Sequence, residues 1–515
     1  MNVFLCISEE EILILIERWK EMTRCVLLFQ ICLFLCVSSL SVSGNLSFNR
    51  DAKTVTLGSG SGSVSSSVGN GDQKLQSAKL VQVTASASAK SNDADGDSDV
   101  LSSQFNLAKT ILGAGILSLP SGIAAFSDSR MSLIPATGVL IFMSLMSAYT
   151  FSSIGSACEQ HNVRGFADAW GSSVDKKSAV AISTAVTVKT FFACLAYGII
   201  IGDTFSSLAK SANFPSLLQD RANVIIGITA AIIFPLNLLK NLDALKYTSI
   251  LGLGGIFYCC LFVTKRYFDG SYAPGGQFFN DIEIKPSFDS ILPGSKPWYS
   301  LFIFISMMST AFSAHYNAPR FWNSLKNRSM KRYNNVISGS FLVSVIAYAT
   351  IMIFGFLTFG GNSLGFVLNN YSKSDSMANI ARVAIGLGIL FGYPLTFSAL
   401  RDGVMDLVNI PSSNIEGRNK ANIPLTIALM SLLTIGGIML KNLGIVVAFS
   451  GSLIGANVIY TVPAIMNICN MKSLNKGNAQ NINAQQLINV IIGALGIIIA
   501  SIGVTVTVIT NGGGH

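Results

Sequence analysis

From Gln104 onward, long apolar runs alternate with short polar segments. A hydrocarbon core of ~30 Å takes about 20 apolar residues to cross as a helix. Eleven segments have that character, some with interruptions: 104–126, 131–154, 179–205, 222–239, 246–265, 299–319, 334–359, 377–399, 422–440, 442–466 and 487–509. In lipid every backbone N–H and C=O must find a partner inside the protein, so each segment is predicted to be helical. The pattern therefore predicts an all-α integral membrane protein with about eleven transmembrane helices over residues 104–515. The fourth segment is short and carries Pro235 near its end, and the tenth follows the ninth almost without a loop.

The first hundred residues follow a different pattern. An apolar run over 25–40 stands behind Arg24 and is followed by the small residues Ser41, Val42, Ser43 and Gly44. That layout over 1–44 reads as a secretory signal peptide. The rival reading is a membrane anchor, for which the run is short. Residues 45–103 are rich in Ser, Gly, Ala and Asp, including Asp93, Asp95, Asp97 and Asp99. Such a composition cannot build a core and predicts a disordered tail.

Composition and charge sharpen the picture. Half of the 515 residues are apolar, 12% are charged and the mean hydropathy is +0.54, against about 25% charge in a soluble domain. The formal net charge is +9. Lys and Arg collect in cytoplasmic loops of membrane proteins, so this excess does not point to nucleic acid. With the first span running outward, the inner loops hold fifteen Lys and Arg and the outer loops nine, the tail left aside. The bias predicts a cytosolic start to the core and an outer C-terminus. A cleaved signal peptide would put 45–103 outside, so the side of the tail stays open. Two glycosylation sequons follow from the same topology. Asn370-Tyr-Ser372 falls on the predicted outer face, whereas Asn327-Arg-Ser329 falls in the most basic inner loop, so if the protein enters the secretory pathway only Asn370 of the two can be modified. Most of the nine cysteines lie in apolar runs without metal-site spacing, and Cys259-Cys260 reads as lipid or core packing.

No catalytic constellation is present. Of the three histidines only His315 lies in a span, with no Glu placed to work with it, and no phosphate-cradling glycine loop with its lysine occurs. The sequence implies neither an enzyme nor a cofactor or bound metal. The first span, Phe105 to Pro120, carries Gly113, Gly115 and Pro120 at mid-membrane. A helix broken there frees N–H groups and presents a half-helix N-terminus, which together can hold a substrate carboxylate. Close helix packing through small residues is the alternative. The sixth span carries Ser306, Ser309, Thr310, Ser313, His315, Asn317 and Pro319, a run too polar for lipid unless it faces a cavity or another helix. Spans one and six are five apart, the spacing of two inverted five-helix repeats that each open with a broken helix. Three further charges lie within spans. Lys109 stands one helical turn before Gly113 and faces the same side. Lys189 and Arg382 are read as side chains that snorkel toward the helix ends.

Four stretches carry a family resemblance: Phe105 to Pro120; Phe234 to Ser249; Ala311-Phe-Ser-Ala-His315 with Arg328-Ser and the span ending Gly355-Phe-Leu-Thr-Phe-Gly360; and Phe449-Ser-Gly-Ser-Leu-Ile-Gly455 ahead of Pro463. In order and spacing the chain resembles the amino acid/auxin permease family, which contains the system A and system N type neutral amino acid transporters. The resemblance implies a LeuT-type core of two inverted five-helix repeats plus one C-terminal helix, and secondary transport of amino acids by alternating access. It implies that the backbone of Gly113, Ala114, Gly115 and Ile116 holds the substrate, with Ser309, Thr310 and Ser313 lining the facing half. Asn106 matches a family asparagine tied to cation coupling. Two positions depart from the sodium-coupled members: Gly392-Tyr-Pro394 stands where they carry Thr-Val-Pro, and Lys109 replaces a second asparagine. The expected coupling is therefore to H⁺, or sodium-independent, with Asn106, Lys109 and Gly392 at the cation position. The rivals are an amino-acid-sensing receptor and a passive facilitator or channel. The partners expected are an amino acid and the lipid bilayer, in the plasma membrane or a vacuolar or other endomembrane.

Overall fold

The structure is a computed structural model that describes residues 96–238, 248–288, 296–408, 410, 415–474 and 484–512. The signal-like segment, the tail up to residue 95 and the 239–247 portion of the second motif lie outside the described residues. Among those described there is no strand, only the isolated bridges Ser98–Leu325 and Ser287–Gly360.

The first apolar segment folds as two helices, α1 (Val100–Ile111) and α2 (Leu119–Phe126), bent by 46°. Pro120 in the first turn of α2 explains the position of the restart, since a first-turn proline gives up no intrahelical bond. Next come α3 (Leu133–His161), the short α4 (Phe166–Ser173) and α5 (Ala179–Ser211). α6 (Arg221–Asn237) contains a π turn at Thr229–Ile233, and α7 (Thr248–Phe268) follows. The sixth apolar segment breaks as the first does, into α8 (Leu301–Ala311) and α9 (Ala318–Ser324), again with a first-turn proline, Pro319. The chain then runs through α10 (Met330–Phe359), α11 (Ser376–Leu407), α12 (Ile415–Met439), α13 (Leu443–Met471) and α14 (Ala484–Gly512).

Among the described residues seven helices are long and apolar enough to cross a membrane: α3, α5, α10, α11, α12, α13 and α14. The bent α1–α2 pair makes an eighth when taken as one span. The other three expected segments coincide with α6, α7 and α8, which fall outside that set. The π turn interrupts α6, and α8 stops after 11 residues.

Packing places the two broken segments at the centre. α8 lies against α2, α13 and α14, while α1 packs on α10, and α5 runs along α11. Small residues allow the closest of these approaches. A Cβ on Gly451 of α13 would sit 1.8 Å from the Ser306 carbonyl of α8, so the two helices touch backbone to backbone. The same stretch of α13 is π-helical at Gly451–Gly455 and Asn457–Thr461, a distortion frequent at functional sites.

One expectation is corrected where the segment after α10 packs on α11. Arg382 does not snorkel. It is 1% exposed, and its guanidinium donates to the carbonyls of Leu368, Tyr371 and Ser372 and to Asn379 Oδ1 at 2.6–3.3 Å. Five N–H donors on one plane suit a buried loop with several free carbonyls, and that gain replaces water. Asn370, the sequon on the predicted outer face, is buried. Its Oδ1 accepts from the Leu364 amide at 2.8 Å and its Nδ2, the atom a glycan needs, donates to the Asn362 carbonyl at 2.9 Å. Asp375 anchors the same region, accepting from Arg266 Nη2 at 2.7 Å and from the Tyr272 hydroxyl at 2.9 Å. Burial, helped by the Asp375 carboxylate, pushes the Tyr272 phenol far above its ordinary range and keeps it a donor.

Candidate functional site

The break between α1 and α2 is built by local geometry. Leu112 has φ −72° and ψ 65°, an inverse γ-turn in which the Gly113 N–H donates to the Ile111 carbonyl at 2.7 Å. Gly113 is then extended, and a 3₁₀ turn begins at Ala114 and runs to Ser118. By position, the Ala114 and Gly115 amides precede any intrahelical partner. The second break mirrors this. α8 ends at Ala311, the Ser313 N–H donates to the Thr310 carbonyl at 3.1 Å, and the Ala314 N–H turns back to the Phe312 carbonyl at 2.9 Å.

The breaks face each other. A Cβ on Gly115 would lie 3.3 Å from Ala311 Cα, so a side chain there would press on the backbone of the opposite break. Tyr348 of α10 joins them from behind, its hydroxyl 2.6 Å from the Ile111 carbonyl and 2.7 Å from the Ala311 carbonyl. Between the breaks lies a cavity of about 80 Å³, room for several waters and hence for a small solute. Thr110, Gly113 and Gly115 line it from the first break, Thr310, Ser313 and Tyr316 from the second. α5 contributes Lys189, Phe192 and Tyr197, and α13 contributes Val447 and Ser450. Ser313 Oγ is buried there without a hydrogen-bond partner.

Lys189 overturns its sequence reading. It is 5% exposed, and its ammonium donates to Ser450 Oγ at 3.1 Å and to Thr310 Oγ1 at 3.4 Å. The reason is depth. Lys189 stands ten residues into α5, about 15 Å of helical rise, half of a ~30 Å core and out of reach of the surface. The register of a long helix was the signal that could have found it. Ser450 was inside a quoted motif but carried no assigned role.

The other expected site residues divide. Gly113, Gly115, Thr310 and Ser313 meet at the cavity. Ile116 is 1% exposed and packed in the core. Ser309 is fully buried, its hydroxyl donating to the Ile305 carbonyl at 3.1 Å, and it does not line the cavity. Ala114 opens the 3₁₀ turn. Asn106 is on an exposed face of α1. Lys109 runs toward α7, its Cε 3.8 Å from where a Cβ on Gly252 would be, beside the close crossing of Gly252 with Gly388 of α11. Gly392 is one turn further along α11, with open space where its Cβ would point. His315 is fully buried away from these groups. Its Nε2 lies 3.0 Å from Thr150 Oγ1 and from the Ser147 carbonyl, and Nδ1 has no partner.

A multi-pass helical membrane protein whose two broken helices border a small cavity lined by apolar and polar side chains has the parts of a solute-binding membrane protein. Residues 96–509 match the family described as transmembrane amino acid transporter protein, and the chain belongs to that family. Its relatives include Vacuolar amino acid transporter 5 of Schizosaccharomyces pombe, 28% identical over 68% of this chain and 80% of the relative. Vacuolar amino acid transporter 7 of Saccharomyces cerevisiae is 29% identical over 60% of each chain. Sodium-coupled neutral amino acid transporter 7 of Mus musculus is 26% identical over 58% of this chain and 62% of its own. The family is one of transporters, and the protein is not an enzyme.

Proposed function

We propose that the protein is a secondary active transporter that carries amino acids across a membrane by alternating access. The carrying observation is the pair of facing breaks around one cavity, with Gly115 against Ala311. A carrier must occlude its substrate at mid-membrane, and two half-helix ends there supply unpaired backbone polar groups without a continuous pore. On this reading the substrate's carboxylate and amine meet the backbone of Gly113, Ala114, Gly115 and Ile116, and Thr310 and Ser313 face them, with Ser309 setting the α8 end. The breaks fall five apolar segments apart, which supports eleven spans arranged as a LeuT-type 5+5 inverted repeat with α14 as the added C-terminal helix.

Coupling is proposed to be to H⁺ or sodium-independent. Asn106, Lys109 and Gly392 form the cation position on this reading, supported by the course of Lys109 toward the α7–α11 crossing. Uptake of a radiolabelled amino acid panel into proteoliposomes is the test. Saturable uptake that accumulates an amino acid above its outer concentration is expected. Binding without flux would assign a receptor, and flux that only equilibrates would assign a facilitator.

A further inference from the structure

We propose that Lys189 is the carboxylate-binding residue of the cavity, its ammonium pairing with the carboxylate of the transported amino acid. The proposal rests on the reading of the cavity as a substrate site and names the chemistry that site selects.

Lys189 is a charged side chain 5% exposed at the cavity wall. An ammonium has three donors, and two protein acceptors are present, Ser450 Oγ and Thr310 Oγ1. Thr310 is itself fixed, its hydroxyl donating to the Val447 carbonyl at 2.6 Å, so its lone pairs are turned to Lys189. The two hydroxyls hold the ammonium at the break and leave one donor for the cavity. Among the described residues no Asp or Glu lines the cavity. Among the described residues Lys189 forms no ion pair, and the neighbours it has are neutral. A charge taken this far from water is costly unless paired. Nothing on the protein side supplies the counter-charge, and a solute carboxylate in the cavity would.

The arrangement also sets the substrate class. A site with one lysine and no carboxylate among its described lining residues favours zwitterionic or acidic amino acids over arginine and lysine. Tyr197 and Tyr316 line the wall and add no charge. Phe192 gives the cavity an apolar side for an uncharged side chain.

The test is binding of amino acids to the purified full chain by titration calorimetry, with the best-bound amino acid then compared with its own carboxamide. The wild type should prefer the acid by at least about tenfold, the scale of one charge-assisted hydrogen bond. Lys189→Met should lower that ratio severalfold, leaving only the preference that the Gly113–Ile116 backbone contributes. Lys189→Gln, which keeps a donor for Ser450 and Thr310, should do the same and covers a failure of the first variant to fold. Lys189→Arg should retain part of the preference. Neutral variants that keep the wild-type ratio, or that lose acid and carboxamide equally, would overturn the assignment while leaving transport intact. A wild type that binds no amino acid would overturn the transport reading itself.

Discussion

The hydroxyl of Tyr348 sits 2.7 Å from the carbonyl oxygen of Ala311, the residue at which α8 ends. The same hydroxyl is 2.6 Å from the Ile111 carbonyl at the end of α1. One O–H therefore serves the freed carbonyls of both breaks, and Tyr348 is fully buried in doing so. The breaks are thus held at a fixed separation from a third helix.

Tyr348→Phe removes that shared donor and leaves the Ala311 carbonyl without it, while the Ile111 carbonyl keeps the Gly113 N–H. A buried polar group without its partner costs about 1–3 kcal/mol. The expected outcome is a fall of at least about tenfold in uptake per molecule, with the protein still reaching its membrane. Uptake normalised to surface or vesicle protein checks it, and an unchanged rate refutes the bridging role.

The two glycines of the first break should respond differently. A Cβ on Gly115 would meet Ala311 Cα at 3.3 Å, whereas one on Gly113 finds only the Ile111 carbonyl, at 3.9 Å. Gly115→Val should abolish uptake, because its branched side chain must displace the opposite backbone. Gly113→Ala should retain folding and raise KM by narrowing the cavity. Kinetics of both variants decide the order, and a Gly115→Val protein with normal uptake would remove Gly115 from the site.

Much of this was legible in the sequence. Apolar runs separated by basic loops located the helices, and Gly113, Pro120 and Pro319 marked both breaks, because glycine and proline act on the local backbone. What the pattern missed depends on depth and on distant partners. Lys189 and Arg382 look alike in sequence, each a lone cation in an apolar run. Only the register of α5 against Thr310 and Ser450, and of α11 against the 368–372 loop, shows that both are buried. The burial of Asn370 was hidden for the same reason, since its side chain caps a loop formed by residues before it.

Arg221 and Asp203 should show an asymmetry in stability. Arg221 Nε lies 2.6 Å from Asp203 Oδ1, with the carboxylate side chain 7% exposed. Arg221 also donates to the Gly437 carbonyl at 2.8 Å, tying α6 to α5 and α12. Arg221→Ala strands a buried carboxylate, whose remaining partner is the Asn369 amide at 3.0 Å. Breaking a fully buried pair costs about 3–5 kcal/mol, and the 20% exposure of Arg221 brings this one toward the lower end. Asp203→Asn leaves a neutral amide and an arginine that keeps its carbonyl. Thermal melting of purified variants should therefore rank Arg221→Ala below Asp203→Asn, and the reverse order would contradict the pairing.

Sodium should not be required for uptake. A dehydrated cation needs oxygen ligands in place of its water shell. Gly392 offers no side-chain oxygen, and the space where its Cβ would point is open. Lys109 runs toward this part of α11, its Cε close to Gly252 where α7 crosses Gly388, one turn before Gly392. An ammonium already placed there supplies the positive charge that a bound ion would bring, and repels a second cation. Replacing sodium with choline should leave wild-type uptake unchanged, and acidifying the outer solution should raise it if protons drive transport. Lys109→Asn should lower uptake roughly tenfold, the loss of one charge-assisted contact. A strict sodium requirement in the wild type would refute the assignment of Lys109 as the resident cation, whatever the variant does.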